Sequence, residues 1–240
     1  MKGSWRSHLR SLRVERALSV FLILLILPLT GPTLAEDLPR CLPANTAAAS
    51  KYIIADHLIT DQELLARLVY AEGLSTGFAD NPLVYEAIAW GVMNRVILGE
   101  VSPSMCRTYG QGIRGVIFKK GQFNPAVSRK SQFSKAFLCP DNNQHWAMAK
   151  TAAATAMKKT GNPFIKTRWE MDHDIALVVN FYYPQSIQAK GPLAPWEGSK
   201  SLRFIGDIRL PEGTLSASII RFYRLNEPPK DLSQKGISRE

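Results

Sequence analysis

The sequence predicts an α+β fold, with a helical lobe first and a small antiparallel sheet toward the C-terminus. Two observations carry this. Apolar residues recur at helical spacing in three stretches between residues 60 and 160, and β-branched and aromatic runs appear only after them. Helices followed by strands, without alternation, argue against a parallel doubly wound sheet. At 240 residues the chain can bury one proper core without needing metals or disulfides.

The first 35 residues read as a signal peptide. Lys2, Arg6, Arg10, Arg13 and Arg16 precede an apolar run from Ala17 to Leu27, and Thr33-Leu34-Ala35 supplies small residues for cleavage. An uncleaved membrane anchor is the alternative, against which Pro28, Gly31 and Pro32 argue. The expected location is therefore the periplasm or cell envelope. Residues 36–59, without periodicity, read as a leader into the domain. The domain itself is expected over 60–225, with a tail at 226–240.

Thr60-Asp61-Gln62-Glu63 is a capping-box sequence that opens a helix, continued by Leu64, Leu65, Leu68 and Val69 and stopped at Gly73. Asn81 as cap and Pro82 at the first position open a second helix running to Gly99, in which Gly91 lets another element pack close. From Ser102 to Phe137 glycines and Pro103 punctuate a loop-rich stretch, with one helical turn at Val116 to Lys119, expected to wall a cleft. A third helix spans His145 to Thr160. Strands follow at Ile175–Tyr183, Leu202–Leu210 and Ser218–Leu225.

The formal charge is +10; removing the first 35 residues leaves 25 basic against 19 acidic residues, near +6. That excess suits an anionic wall polymer or membrane surface as well as plain solubility, and the basic residues do not cluster as nucleic-acid contacts do. Three cysteines in an exported chain allow one disulfide. Cys106 and Cys139 flank one loop region and are expected to pair, leaving Cys41 in a mobile leader. His57, His145 and His173 have no ligand spacing, and no phosphate loop or dinucleotide fingerprint is present, so no cofactor and no metal are expected.

Glu72, in Leu68-Val69-Tyr70-Ala71-Glu72-Gly73, is a carboxylate at the end of an apolar helix. The negative end of the helix dipole and burial both raise an acid's pKa, and a carboxylic acid protonated near neutral pH can donate to a leaving glycosidic oxygen. Read alone, the same segment fits a solvated acid at a fraying helix end better than a catalyst.

Three segments in order, Leu65 to Gly73, Ala87-Ile88-Ala89-Trp90-Gly91-Val92-Met93-Asn94-Arg95-Val96, and Gly115-Val116-Ile117-Phe118-Lys119-Lys120-Gly121-Gln122-Phe123, resemble the SleB-type cell-wall hydrolases, which include germination-specific lytic transglycosylases. The likeness extends over roughly residues 64–223. It implies a lysozyme- or lytic-transglycosylase-like lobe that takes peptidoglycan as substrate, with Glu72 as the single catalytic acid. Two departures stand out: residues 107–114 lengthen the loop after Cys106, and Val179-Asn180-Phe181-Tyr182-Tyr183-Pro184 does not match the family's strand cleanly.

By residue type, Gln122 offers a donor and an acceptor to a sugar, and Tyr182, Tyr183 and Trp196 offer stacking faces. Tyr70, Phe123 and Asn180 complete the expected substrate contacts, although Phe123 and Phe181 read equally well as core. Arg95 reads as an ion-pairing or capping residue. A two-carboxylate hydrolase is the alternative chemistry, with Glu170, Asp172 or Asp174 as second carboxylate, if these are not a solvated acidic turn. An inactive wall-binding or assembly protein is the alternative of another class.

Overall fold

The computed structural model describes residues 38–43, 59–128 and 130–233, all within one compact unit, Ala35–Glu240. The expected signal peptide and most of the expected leader lie outside the described residues. Among the described residues, no helix is long and apolar enough to cross a membrane.

Helix α1 (Asp61–Ser75) starts as its sequence dictates: Thr60 is extended, and its Oγ1 accepts the Glu63 amide at 3.1 Å. Only half of the capping box forms, because the Glu63 carboxylate turns instead to Arg67, at 2.7 and 2.9 Å. Gly73 does not stop the helix. A Cβ at that position would lie 2.6 Å from the Tyr85 ring, so this glycine serves the close approach of the next helix.

That helix, α2 (Pro82–Val101), is capped by Asn81, whose Oδ1 accepts the Leu83 amide at 3.0 Å. Its buried residues run all round it, from Val84 to Gly99, which makes it the axis of the core. The stretch expected to be mostly loop folds as four short helices, α3 (Pro103–Tyr109), α4 (Gly112–Ile117), α5 (Asn124–Val127) and α6 (Ser134–Leu138). Helix α7 (Asn143–Met157) is capped by Asn142, two residues earlier than expected. Its alanines 149, 152, 153 and 156 are buried where it packs on α1 and α2.

Helix α8 (Arg168–Asp172) opens on a complete capping box between Thr167 and Glu170. Strand β1 (Val178–Tyr182) follows. The expected strand at 202–210 breaks at Gly206, whose φ is +77°, into β2 (Leu202–Phe204) and β3 (Ile208–Leu210). β3 pairs with β4 (Gly213–Leu215), while β5 (Arg221–Leu225) lies between β1 and β2 in a three-stranded antiparallel sheet. The architecture is therefore mixed α+β with a small antiparallel sheet late in the chain.

Both ends of the described chain are stitched down. Cys41 pairs with Cys139, not Cys106 with Cys139 as the spacing suggested; Cys106 is a free, half-buried thiol on α3. The reason is backbone placement. The Leu42 amide donates to Leu138 O at 2.8 Å, and the fully buried Arg67 donates to Arg40 O and Leu138 O at 2.6 and 2.7 Å, laying residues 40–42 alongside Cys139. At the other end, α9 (Lys230–Ser233) sends the Asp231 carboxylate to Ser102 and Ser104 at the start of α3.

Candidate active site

Glu72 sits in the last turn of α1 and is only 6 % exposed. Burial pushes its pKa up to about 7, against the opposing pull of the Tyr183 hydroxyl and the Arg95 cation. The Tyr183 hydroxyl is itself buried and lies against the carboxyl without reaching standard hydrogen-bond geometry. No basic residue occupies the last turn of α1 to offset the helix dipole. Glu72 is thus an acid that holds its proton well above the usual carboxylate range.

Adjacent residues of α2 fix strand β1, and one of them, Arg95, lines the same cleft as Glu72. The register of β1 against β5 shifts between Val178 and Asn180, and α2 takes up the Val178 and Val179 carbonyls at that irregularity. Asn94 Nδ2 donates to Val178 O at 2.8 Å, and Arg95 Nε donates to Val179 O at 2.5 Å. Asn94 is therefore a structural clamp, and its Oδ1 also accepts from Asn162 at 2.7 Å. Close packing of β1 on α2 requires Gly91, where a Cβ would lie 2.8 Å from the Phe181 ring.

Arg95 does more than the capping role its sequence context suggested. Its Nη1 donates to Gln122 Oε1 at 2.5 Å, and its guanidinium lies 4.7 Å from the Phe123 ring centroid, 5.2 Å from Phe181 and 5.6 Å from Tyr109. Burial lowers its pKa to about 10, opposed by Tyr109, Glu72 and Tyr183, so it remains a cation at neutral pH.

These groups line a cleft of about 540 Å³ together with Asn180, Tyr182 and Trp196. Tyr182 OH donates to Gly191 O at 2.7 Å and accepts the Lys190 amide at 3.1 Å, which ties the loop after β1 to the cleft rim. Trp196 stands edge-on to Tyr182 and to Tyr223, at 6.2 and 5.9 Å between centroids. Its indole N–H is buried without a protein partner. Five of the six expected substrate contacts, Gln122, Phe123, Asn180, Tyr182 and Trp196, thus line the same cleft as Glu72, although Phe123, 1 % exposed, contributes wall rather than open surface.

Tyr70 is the exception. It is fully buried on the far side of α1, where its hydroxyl donates to Asp141 Oδ1 at 2.9 Å and accepts the Asp141 and Asn142 amides. Two residues along a helix is a turn of about 200°, so Tyr70 and Glu72 point to opposite sides. Arg95 and Tyr183 are the two groups electrostatically coupled to Glu72 whose importance residue type alone understated.

None of the three candidate second carboxylates lines the cleft. Glu170 is fully buried and accepts the Leu177 and Thr167 amides, each at 2.6 Å. Asp172 and Asp174 are exposed and pair with Arg168 and Lys166. Among the described residues lining the cleft, Glu72 is the only carboxylate and Arg95 the only cation. No group of three or more His, Cys, Asp and Glu side chains among the described residues is placed to hold a metal ion. Comparison with protein families, with curated proteins and with solved structures finds no match to this chain.

Proposed function

We propose that this protein is an exported enzyme that cleaves peptidoglycan glycan strands between N-acetylmuramic acid and N-acetylglucosamine, by lytic transglycosylase chemistry on a lysozyme-like helical lobe. The observation that carries the reading is Glu72: a buried carboxyl with its pKa near 7, facing an aromatic-walled cleft that holds no other carboxylate among the described residues. The likeness of three segments to the SleB-type hydrolases points the same way.

The geometry suits a one-acid cycle. Protonated Glu72 donates to the bridging oxygen as the bond from that oxygen to C1 of the muramyl sugar breaks, leaving positive charge at C1. The carboxylate so formed faces Arg95 and the Tyr183 hydroxyl, both of which favour its charged form. It then takes the proton from the muramyl C6 hydroxyl while that oxygen bonds to C1. The products are a free 4-hydroxyl and a 1,6-anhydro sugar, with no water consumed and Glu72 again protonated. A two-carboxylate hydrolase needs a second acid at the sugar, and none of the described lining residues supplies one.

The test is digestion of purified peptidoglycan by the secreted form and by Glu72→Gln, with mass spectrometry of the released muropeptides. Anhydro-muramyl ends made only by the unsubstituted protein are the expected result. Reducing ends instead would move the assignment to hydrolysis, and wall binding without cleavage by either form would leave a binding protein.

A further inference from the structure

Among the described residues of the cleft wall, Gln122 is an amide whose orientation is fixed by chemistry. A guanidinium carries five donors and no acceptor, so the group 2.5 Å from Arg95 Nη1 must be the amide oxygen of Gln122. Nε2, with its two donor hydrogens, is then the end turned away from Arg95. Arg95 cannot readily release this grip. It is 5 % exposed, bonded through Nε to Val179 O, and flanked by the Phe123, Phe181 and Tyr109 rings. Gln122 itself is only half-buried and lines the cleft with Glu72.

We propose that Arg95 locks Gln122 as a hydrogen-bond donor, so that this wall of the cleft reads a carbonyl acceptor on the sugar, the acetamido group of an N-acetylhexosamine, and rejects the N-deacetylated form. The inference rests on the glycan-cleavage reading and adds which chemical form of the glycan the site takes. An acetamido oxygen satisfies the Nε2 donors. An ammonium in its place offers only donors, strands those of Gln122, and brings a second positive charge into a cleft where Arg95 is the one cation among the described lining residues. Arg95 acts here through Gln122 and is a positioning residue.

The test is calorimetric titration with chitotetraose and with its fully N-deacetylated counterpart, in the Glu72→Gln background to prevent turnover, alongside digestion of peptidoglycan by the protein with Glu72 intact. The expected result is N-acetylated sugar bound at least about tenfold more tightly. Gln122→Glu, whose carboxylate only accepts, should lose that preference by about tenfold, and Gln122→Met should weaken chitotetraose binding without gaining the deacetylated sugar. Equal affinity for the two oligosaccharides, or a preference unchanged by both substitutions, overturns the donor assignment. If anhydro ends are still produced in that case, the glycan-cleavage reading survives it. Absence of both sugar binding and released muropeptides removes the two together.

Discussion

Two buried glutamates, at opposite ends of the path traced by β1, show what separates an acid from a strut. Glu170, before the strand, has no exposure at all, yet its two oxygens accept the Leu177 and Thr167 amides and Arg224 Nε lies 3.3 Å away. Glu72, beside the strand's far end, retains 6 % exposure but has only the Tyr183 hydroxyl and a neighbouring cation to support its charge. Burial of a carboxylate without amide donors favours the protonated form; burial with them builds structure.

The largest effect that divides the two is catalytic. Glu72→Gln should lower glycan cleavage by a factor on the order of 10²–10⁴ while leaving the fold intact, whereas Glu170→Ala should leave the rate per folded molecule within about twofold. Muropeptide release, normalised to folded protein by circular dichroism, reads both. For stability the ranking reverses. Glu170→Ala strands the Leu177 amide and leaves buried Arg224 without its carboxylate, a loss of about 3–5 kcal/mol in urea unfolding.

Proton linkage sharpens the contrast. Because the Glu72 pKa rises from 4.5 to about 7 on folding, its contribution to stability is fully present below pH 4.5 and is lost as pH rises through 7. The span corresponds to about 3 kcal/mol. Glu72→Gln should therefore be more stable than the unsubstituted protein at pH 8 and lose that advantage at pH 4.5, as measured by urea midpoints at the two pH values. The smallest effect concerns the strand that both glutamates border. Gly91→Ala places a methyl against Phe181 and should cost about 1–3 kcal/mol, with loss of cleavage beyond what the unfolded fraction explains, because β1 is displaced from Arg95.

Much of the helical lobe was legible because its signals are local. Thr60 and Asn81 cap where their residue types and the following Pro82 place them, and Gly91 sits where a neighbour packs close. The burial of Glu72 was not legible locally, because the same window reads as a solvated acid at a helix end; its environment comes from Tyr183 and Arg95, which lie far along the chain. The short helices between Ser102 and Leu138 were not, since each is a turn or two held by tertiary contacts, among them Asp231 from the far end of the chain bonding to Ser102 and Ser104. The Cys41–Cys139 pairing depends on Arg67 drawing distant carbonyls together, which no spacing rule encodes. Tyr70 was misplaced by proximity in sequence, where helical rotation alone would have turned it away from Glu72. The role of Arg95 rests on a β1 irregularity and on a glutamine 27 residues away.

The most direct test is the titration of Glu72 itself, followed by carbon NMR of protein labelled at the glutamate carboxyls, with Glu72→Gln identifying the resonance. A midpoint near pH 7 is the predicted result, with cleavage activity falling as pH rises through it. A midpoint near 4.5, the value of an exposed glutamate, would contradict the account, because the only carboxylate among the described residues of the cleft would then carry no proton to give at neutral pH.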